Sequence, residues 1–148
     1  MTILEILHQY LDAADVSEQT FEAIAGISHQ QKYEADEIVF REEQASDHLY
    51  IVTAGQVDVQ YLLPSGRRKT VDTLAPGDFL VWSAMVKPHT TDSIGISRAK
   101  TEVLAIKAEG LRQLCEQDTR FGYRMVSQLA RVIRRRLRAA RLQIADLE

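Results

Sequence analysis

Pro76-Gly77-Asp78-Phe79-Leu80-Val81-Trp82-Ser83-Ala84-Met85 puts a turn, a short apolar run and a helix start into ten residues. Gly77 tolerates positive φ, Pro76 restricts the residue before it, and Asp78 suits a turn. The apolar run then reads as a strand, and Trp82-Ser83-Ala84-Met85 as the opening of a brief helix. A strand, a tight turn and a helix N-terminus in succession present backbone N–H groups, which can hold an anion such as a phosphate. The same residues also suit a plain turn into a barrel strand, and the local pattern leaves both readings open.

Working outward, short runs alternate with turn residues on both sides. The runs are Gln30–Tyr33, Glu37–Phe40, Leu49–Ala54, Val57–Leu63, Lys69–Leu74, Phe79–Trp82, Ser93–Arg98 and Glu102–Lys107. In Val57-Asp58-Val59-Gln60-Tyr61-Leu62-Leu63 the apolar residues alternate, as in a half-buried strand. Eight short strands at steady spacing predict a mainly β fold with flanking helices, an antiparallel sandwich or jelly roll.

The flanks follow a helical period. Ile3, Ile6, Leu7, Tyr10 and Leu11 fall on one face of a helix over 3–14, and Ser17 can cap a second with Phe21, Ile24 and Ala25 inward. After residue 107 a short helix, Ala108–Glu116, precedes a long one capped by Asp118. Val126, Ala130, Ile133, Leu137, Ala140, Ile144 and Leu147 are spaced 4-3-4-3-4-3 along it, an a/d heptad seam. Such a stripe needs a partner: the chain's own body, or the same helix of a second chain. Arg134, Arg136 and Arg141 flank the seam at e and g, where a parallel pair would set Arg against Arg. The chain thus divides into a helical cover (1–27), a β-roll core (28–107) and C-terminal helices (108–148).

The net charge of −3 hides an asymmetry: residues 1–110 carry 9 Lys/Arg against 17 Asp/Glu, and residues 111–148 carry 9 against 4. A basic stripe alone gives only non-specific contact with nucleic acid, and an acidic body repels phosphates. Cys115 is the only cysteine, so no internal disulfide forms and no Cys-based zinc site is built. The N-terminus lacks a signal-peptide pattern and no apolar run spans a bilayer, so a cytoplasmic location and no membrane contact are expected. His8, His29, His48 and His89 are scattered, which argues against a metal centre. Ser83 lies in no nucleophile elbow. A haem would need an axial ligand such as His89, Cys115 or Met85, residues that read more simply as surface or core. No catalytic residue, metal or cofactor is expected.

Asp47-His48-Leu49-Tyr50-Ile51-Val52-Thr53-Ala54-Gly55-Gln56-Val57-Asp58-Val59 and Leu74-Ala75-Pro76-Gly77-Asp78-Phe79 resemble the signature stretches of the cyclic-nucleotide-binding domain. More narrowly, the chain resembles the sensor half of the catabolite-activator and fumarate–nitrate regulator superfamily. Trp82-Ser83-Ala84-Met85, Thr101-Glu102-Val103-Leu104-Ala105-Ile106, Phe121-Gly122-Tyr123-Arg124, Arg136-Leu137 and Gln143-Ile144-Ala145-Asp146-Leu147 resemble its stand-alone members. The resemblance implies an eight-stranded double-stranded β-helix with N-terminal helices and a long C-terminal dimerisation helix. It also implies a ligand inside the roll, its phosphate on the N–H groups of the short helix and on one Arg, its ribose on a Glu that follows a Gly.

Here that Gly-Glu pair falls on Val81-Trp82, and the Arg falls on Asp92 or Ser93. The hydroxyl positions of the family's long helix fall on Ala140 and Arg141. The residues expected around the pocket are Gly77, Asp78, Val81, Trp82, Ser83, Ala84, Asp92, Ser93 and Arg98, the last of undetermined orientation. The seam Val126, Ala130, Ile133, Leu137, Ala140 and Ile144 is the expected homodimer interface. Cyclic AMP or cyclic GMP is then expected to bind weakly, with another small molecule stacked on Trp82, or the chain's own side chains, filling the roll. The reading is a non-enzymatic sensor or regulatory module that signals through its long helix. Its alternatives are a ligand-free interaction domain for an unidentified protein partner, or the sensor half of a transcription regulator. No helix-turn-helix follows the long helix, so base-specific DNA reading is not expected.

Overall fold

A computed structural model describes residues 1–147. Helices α1 (Ile3–Tyr10) and α2 (Glu18–Gly26) lead into eight strands: β1 (Ser28–Tyr33), β2 (Ile38–Phe40), β3 (His48–Ala54), β4 (Val57–Leu62), β5 (Arg68–Leu74), β6 (Phe79–Leu80), β7 (Ile94–Ser97) and β8 (Thr101–Lys107). A single 3-10 turn, Trp82–Ala84, follows β6, and α3 (Ala108–Gln117) and α4 (Thr119–Ala145) close the chain. The strands form two four-stranded antiparallel sheets in the orders β1-β8-β3-β6 and β2-β7-β4-β5. This is the jelly roll with flanking helices that the strand spacing predicts.

The central strands β3 and β8 of the first sheet are buried on both faces, and the period of two explains how. Leu49 and Ile51 of β3, Phe79 of β6, and Leu104 and Ile106 of β8 pack under the helices with Leu7, Ile24, Leu111, Phe121 and Met125. Their neighbours Val52, Leu80 and Val103 point the other way, joining Val57 and Leu74 between the sheets. Hence the uninterrupted apolar runs Leu49–Val52 and Val103–Ile106: alternate residues fill two different cores. At about 25 cal/mol per Å² of apolar surface removed from water, this double burial makes β3 and β8 a main source of the fold's stability.

Local chemistry sets the ends of the helices. The Ser17 hydroxyl accepts from the Thr20 N–H at 3.3 Å, and the Asp118 carboxylate accepts from the Phe121 N–H at 3.1 Å. Both are N-caps the sequence predicts. The Thr20 hydroxyl also donates to Asp118 at 2.7 Å, tying α2 to the start of α4. This bond, followed by the Phe121 N–H, holds the Asp118 carboxyl below its ordinary range. α1 stops at Tyr10, short of the predicted residue 14. Gly77 takes φ 95°, as the Pro-Gly-Asp turn requires, and Gly95 lets the Phe40 ring lie where a Cβ would be only 2.3 Å from it.

α4 presents two apolar stripes rather than one. Phe121, Gly122, Met125, Leu129 and Val132 are buried on the body. The heptad seam runs one position further round, and there Val126 (57%), Leu137 (52%) and Ile144 (67%) remain exposed. The seam is therefore not the stripe that packs on the body's core. Side-chain bonds fasten the helix's first half to the α1–α2 segment. Arg124 grips Asp15 through two bonds of 3.0 and 3.1 Å, Gln128 accepts from the Asp12 N–H and donates to the Tyr10 carbonyl, and Arg131 meets Asp12.

Candidate ligand site between the roll and the long helix

The site begins where β6 breaks. The sequence predicts that strand to continue to Trp82, but it ends at Leu80 because Val81 turns into the left-handed region, φ 64° and ψ 59°. A β-branched residue there is a genuine outlier and costs on the order of 1–3 kcal/mol. The reversal starts the 3-10 turn. The N–H groups of Ala84 and Met85 are used within it, bonding to the carbonyls of Val81 and Trp82, whereas those of Trp82 and Ser83 have no backbone acceptor among the described residues. Its carbonyls are also held: His89 Nδ1 donates to Ser83 at 2.6 Å and Arg112 donates to Ala84 at 2.6 Å. The Ser83 and Ser46 hydroxyls lie 2.5 Å apart.

This turn forms one wall of a cavity of about 570 Å³, within the size range of small-molecule sites. Inward residues of the second sheet, including Val59, Tyr61 and Val71, make another wall. The segment 86–93 and one side of α4 complete it. Its lining is mostly apolar, with Phe40, Tyr61, Phe79 and Trp82 supplying aromatic surface. Trp82 Nε1 is buried without a hydrogen-bond partner among the described residues.

Of the residues the sequence nominates for the pocket, Val81, Trp82, Ser83, Asp92 and Ser93 line the cavity. Gly77, Asp78 and Ala84 are not among the lining residues: the first two lie in the turn before β6, and Ala84 is the buried last residue of the 3-10 turn. Arg98 is not among the lining residues: it pairs with Asp58 at 2.7 Å and Asp36 at 3.4 Å on the outside of the roll. Of the nominated dimer seam, Ile133, Leu137 and Ala140 also line the cavity; Val126, Ala130 and Ile144 do not.

Most of the lining escaped the sequence reading, and its polar members Tyr61, Asp72, Lys87 and Arg136 bear most on the chemistry. Arg136, read there as a flanking charge of the seam, turns onto the roll. Its Nη1 lies 3.0 Å from Asp72 and its Nη2 2.7 Å from Asp78, with all three side chains 20–29% exposed. A signal existed, since Arg136 continues the body-facing series Phe121, Met125, Leu129, Val132 by one helical step. Tyr61 continues the inward alternation of Val57 and Val59. Burial, and secondarily the charge of Asp92, push the Tyr61 phenol up from its ordinary value, so it stays a neutral hydroxyl in the site. Among the described residues no three His, Cys, Asp or Glu gather as a metal site, and burial pushes the Cys115 thiol up to about 11.

A match to the cyclic nucleotide-binding domain over residues 30–118, more than half of the chain, accompanies this geometry. The chain belongs to the cyclic nucleotide-binding domain family. A CRP-like cAMP-activated global transcriptional regulator of Mycobacterium tuberculosis is 27% identical over 109 residues, 74% of this chain and 47% of that protein. The chain thus spans about half the length of that relative. Two solved structures share the fold: a cyclic nucleotide-binding domain from Methylobacillus flagellatus (TM-score 0.82, 18% identity, 99% of this chain and 83% of that one), and the sensor domain of the transcriptional regulator DNR from Pseudomonas aeruginosa (TM-score 0.73, 14% identity, 93% and 95%). No helix among the described residues is long and apolar enough to cross a membrane.

Within this cyclic nucleotide-binding domain, the strained Val81 stands at the position where the resemblance implies glycine. The usual order of glycine and alanine should therefore invert. Val81→Gly is expected to be more stable than Val81→Ala by about 1 kcal/mol, because alanine meets the left-handed penalty and glycine does not. Chemical denaturation of the two variants measures this, and alanine at or above glycine contradicts the backbone conformation.

Proposed function

We propose that this domain is a non-enzymatic sensor or regulatory module. Its cavity accepts a small molecule but binds cyclic AMP and cyclic GMP weakly, and its response passes through α4, which pairs with a second copy. The observation that carries this reading is the shared cavity wall: Val81, Trp82 and Asp92 on the roll face Ile133, Leu137 and Ala140 on the long helix. An occupant touches both bodies and can prefer one helix position over another, which is the requirement for a ligand to shift that equilibrium.

The lining argues against tight nucleotide binding. The resemblance puts Asp92 or Ser93, neither of them a cation, where an Arg would grip the phosphate, and Trp82 where a Glu would take the ribose. Arg136, the nearest guanidinium, is already held by Asp72 and Asp78. A lost charged hydrogen bond costs roughly 1.5–3 kcal/mol, about ten- to a hundredfold in affinity. The relatives' names favour regulation: one is a cAMP-activated transcriptional regulator, another the sensor domain of a transcriptional regulator. The exposed half of the seam, with Val126 and Ile144 beyond the cavity, supports pairing of α4.

Two measurements check this. In calorimetric titration the parent should bind cyclic AMP with Kd above the micromolar range, and the triple variant Val81→Gly, Trp82→Glu, Asp92→Arg should bind it at least about tenfold more tightly. A submicromolar parent complex would refute the reading of the cassette. In sedimentation equilibrium, Ile144→Glu should convert a dimer to a monomer; identical masses for parent and variant would remove the paired helix.

A further inference from the structure

Taking the functional reading above as its basis, the chemistry of the cavity wall specifies a class of ligand. Two carboxylates, Asp72 and Asp78, share the one guanidinium of Arg136. Asp92 and Lys87 add one charge of each sign, and neither has an ion-pair partner among the described residues. The wall and its immediate support thus hold three carboxylates against two cations, a poor setting for an anion. Lys87 and Asp92 are both exposed; the long flexible stem of Lys87 lets its ammonium stay in water, whereas the short Asp92 side chain cannot swing far from the lining.

The uncharged part of the wall points the same way. Phe40, Tyr61 and Trp82 put aromatic surface into the lining, and the face of an aromatic ring attracts positive charge. Aliphatic side chains from β4, β5 and α4 fill the gaps between them and suit an apolar body. Asp92 sits at the cavity's open edge: it is exposed, yet it belongs to the same lining as Tyr61 and Trp82.

We propose that the cavity is a site for a ring-bearing organic cation, its ring packed against Trp82 and its protonated nitrogen at the Asp92 carboxylate. The aromatic walls supply most of the affinity, and Asp92 supplies the choice of charge.

Trp82 is the only tryptophan of the chain, so its emission reports directly from the cavity wall. The test uses three ring-matched quenchers of different charge: 4-nitrobenzylammonium, 4-nitrobenzyl alcohol and 4-nitrobenzoate. Each is titrated against the full chain, with quenching corrected for absorbance by free tryptophan. The expected order of affinity is cation, neutral, anion, with the cation about threefold tighter than the neutral probe because the Asp92 carboxylate is exposed. Asp92→Asn should bring the cation down to the neutral probe, and Asp92→Lys should reverse the order of cation and anion. Asp92 makes no hydrogen bond among the described side-chain contacts, so both variants should fold, which circular dichroism checks. An anion that binds tightest to the parent, or a cation preference that survives in Asp92→Asn, overturns the assignment while leaving a ligand-bearing sensor intact. Absence of saturable quenching by all three overturns both. Tight binding of cyclic AMP by the parent, by contrast, strikes at the functional reading itself.

Discussion

One guanidinium joins the two halves of this molecule at its cavity. Arg136 leaves α4, crosses to the roll and lies between Asp72 at the end of β5 and Asp78 in the turn before β6. Asp78 also accepts the Ala75 N–H at 2.9 Å, and Asp72 accepts the Thr73 N–H at 2.9 Å, so both carboxylates are held before the cation reaches them. A planar fork suits this arrangement, since each Nη finds its own oxygen. Removing the cation would leave two fixed carboxylates facing each other, and such half-buried pairs are costly to break from one side. Up to this point the helix is fastened to the α1–α2 segment by Arg124, Gln128 and Arg131; beyond it, residues 137–147 are exposed. The clamp marks where the helix stops belonging to the body.

The cavity depends on that clamp for one of its walls. Ile133, Leu137 and Ala140 line it on the same side of the helix from which Arg136 pairs with Asp72 and Asp78. The opposite wall depends on Val81, whose left-handed backbone ends β6 early and swings Trp82 and Ser83 to the lining. The buried strand β3, paired with β6, is part of the packed surroundings that let a β-branched residue be held in that conformation. Under the proposed function, a ligand on one wall would lie directly against the helix on the other, so coupling would need no long pathway.

Much of this was legible in the sequence. The eight strands were, because period-two alternation and turn chemistry are local signals; so were the Ser17 and Asp118 caps. The early end of β6 was not, since no propensity rule places valine in the left-handed region. On α4 the heptad seam was visible, but the buried stripe one position round was hidden by it, because Gly122 and Arg136 interrupt its hydrophobic reading. The pairing of Arg136 with Asp72 and Asp78 joins residues far apart in the chain, and nothing in local pattern foretells it. Arg98 illustrates the same limit: its partners Asp58 and Asp36 are set by the tertiary fold.

The central claim is that Arg136 holds α4 on the roll. Amide hydrogen exchange across α4, compared between the parent and Arg136→Gln, tests it most directly. Amides of residues 133–140 should exchange about tenfold or more faster in the variant, an opening easier by roughly 1.4 kcal/mol, while those of β3 and β8 keep their protection. Equal protection of residues 133–140 in the two proteins would contradict the claim.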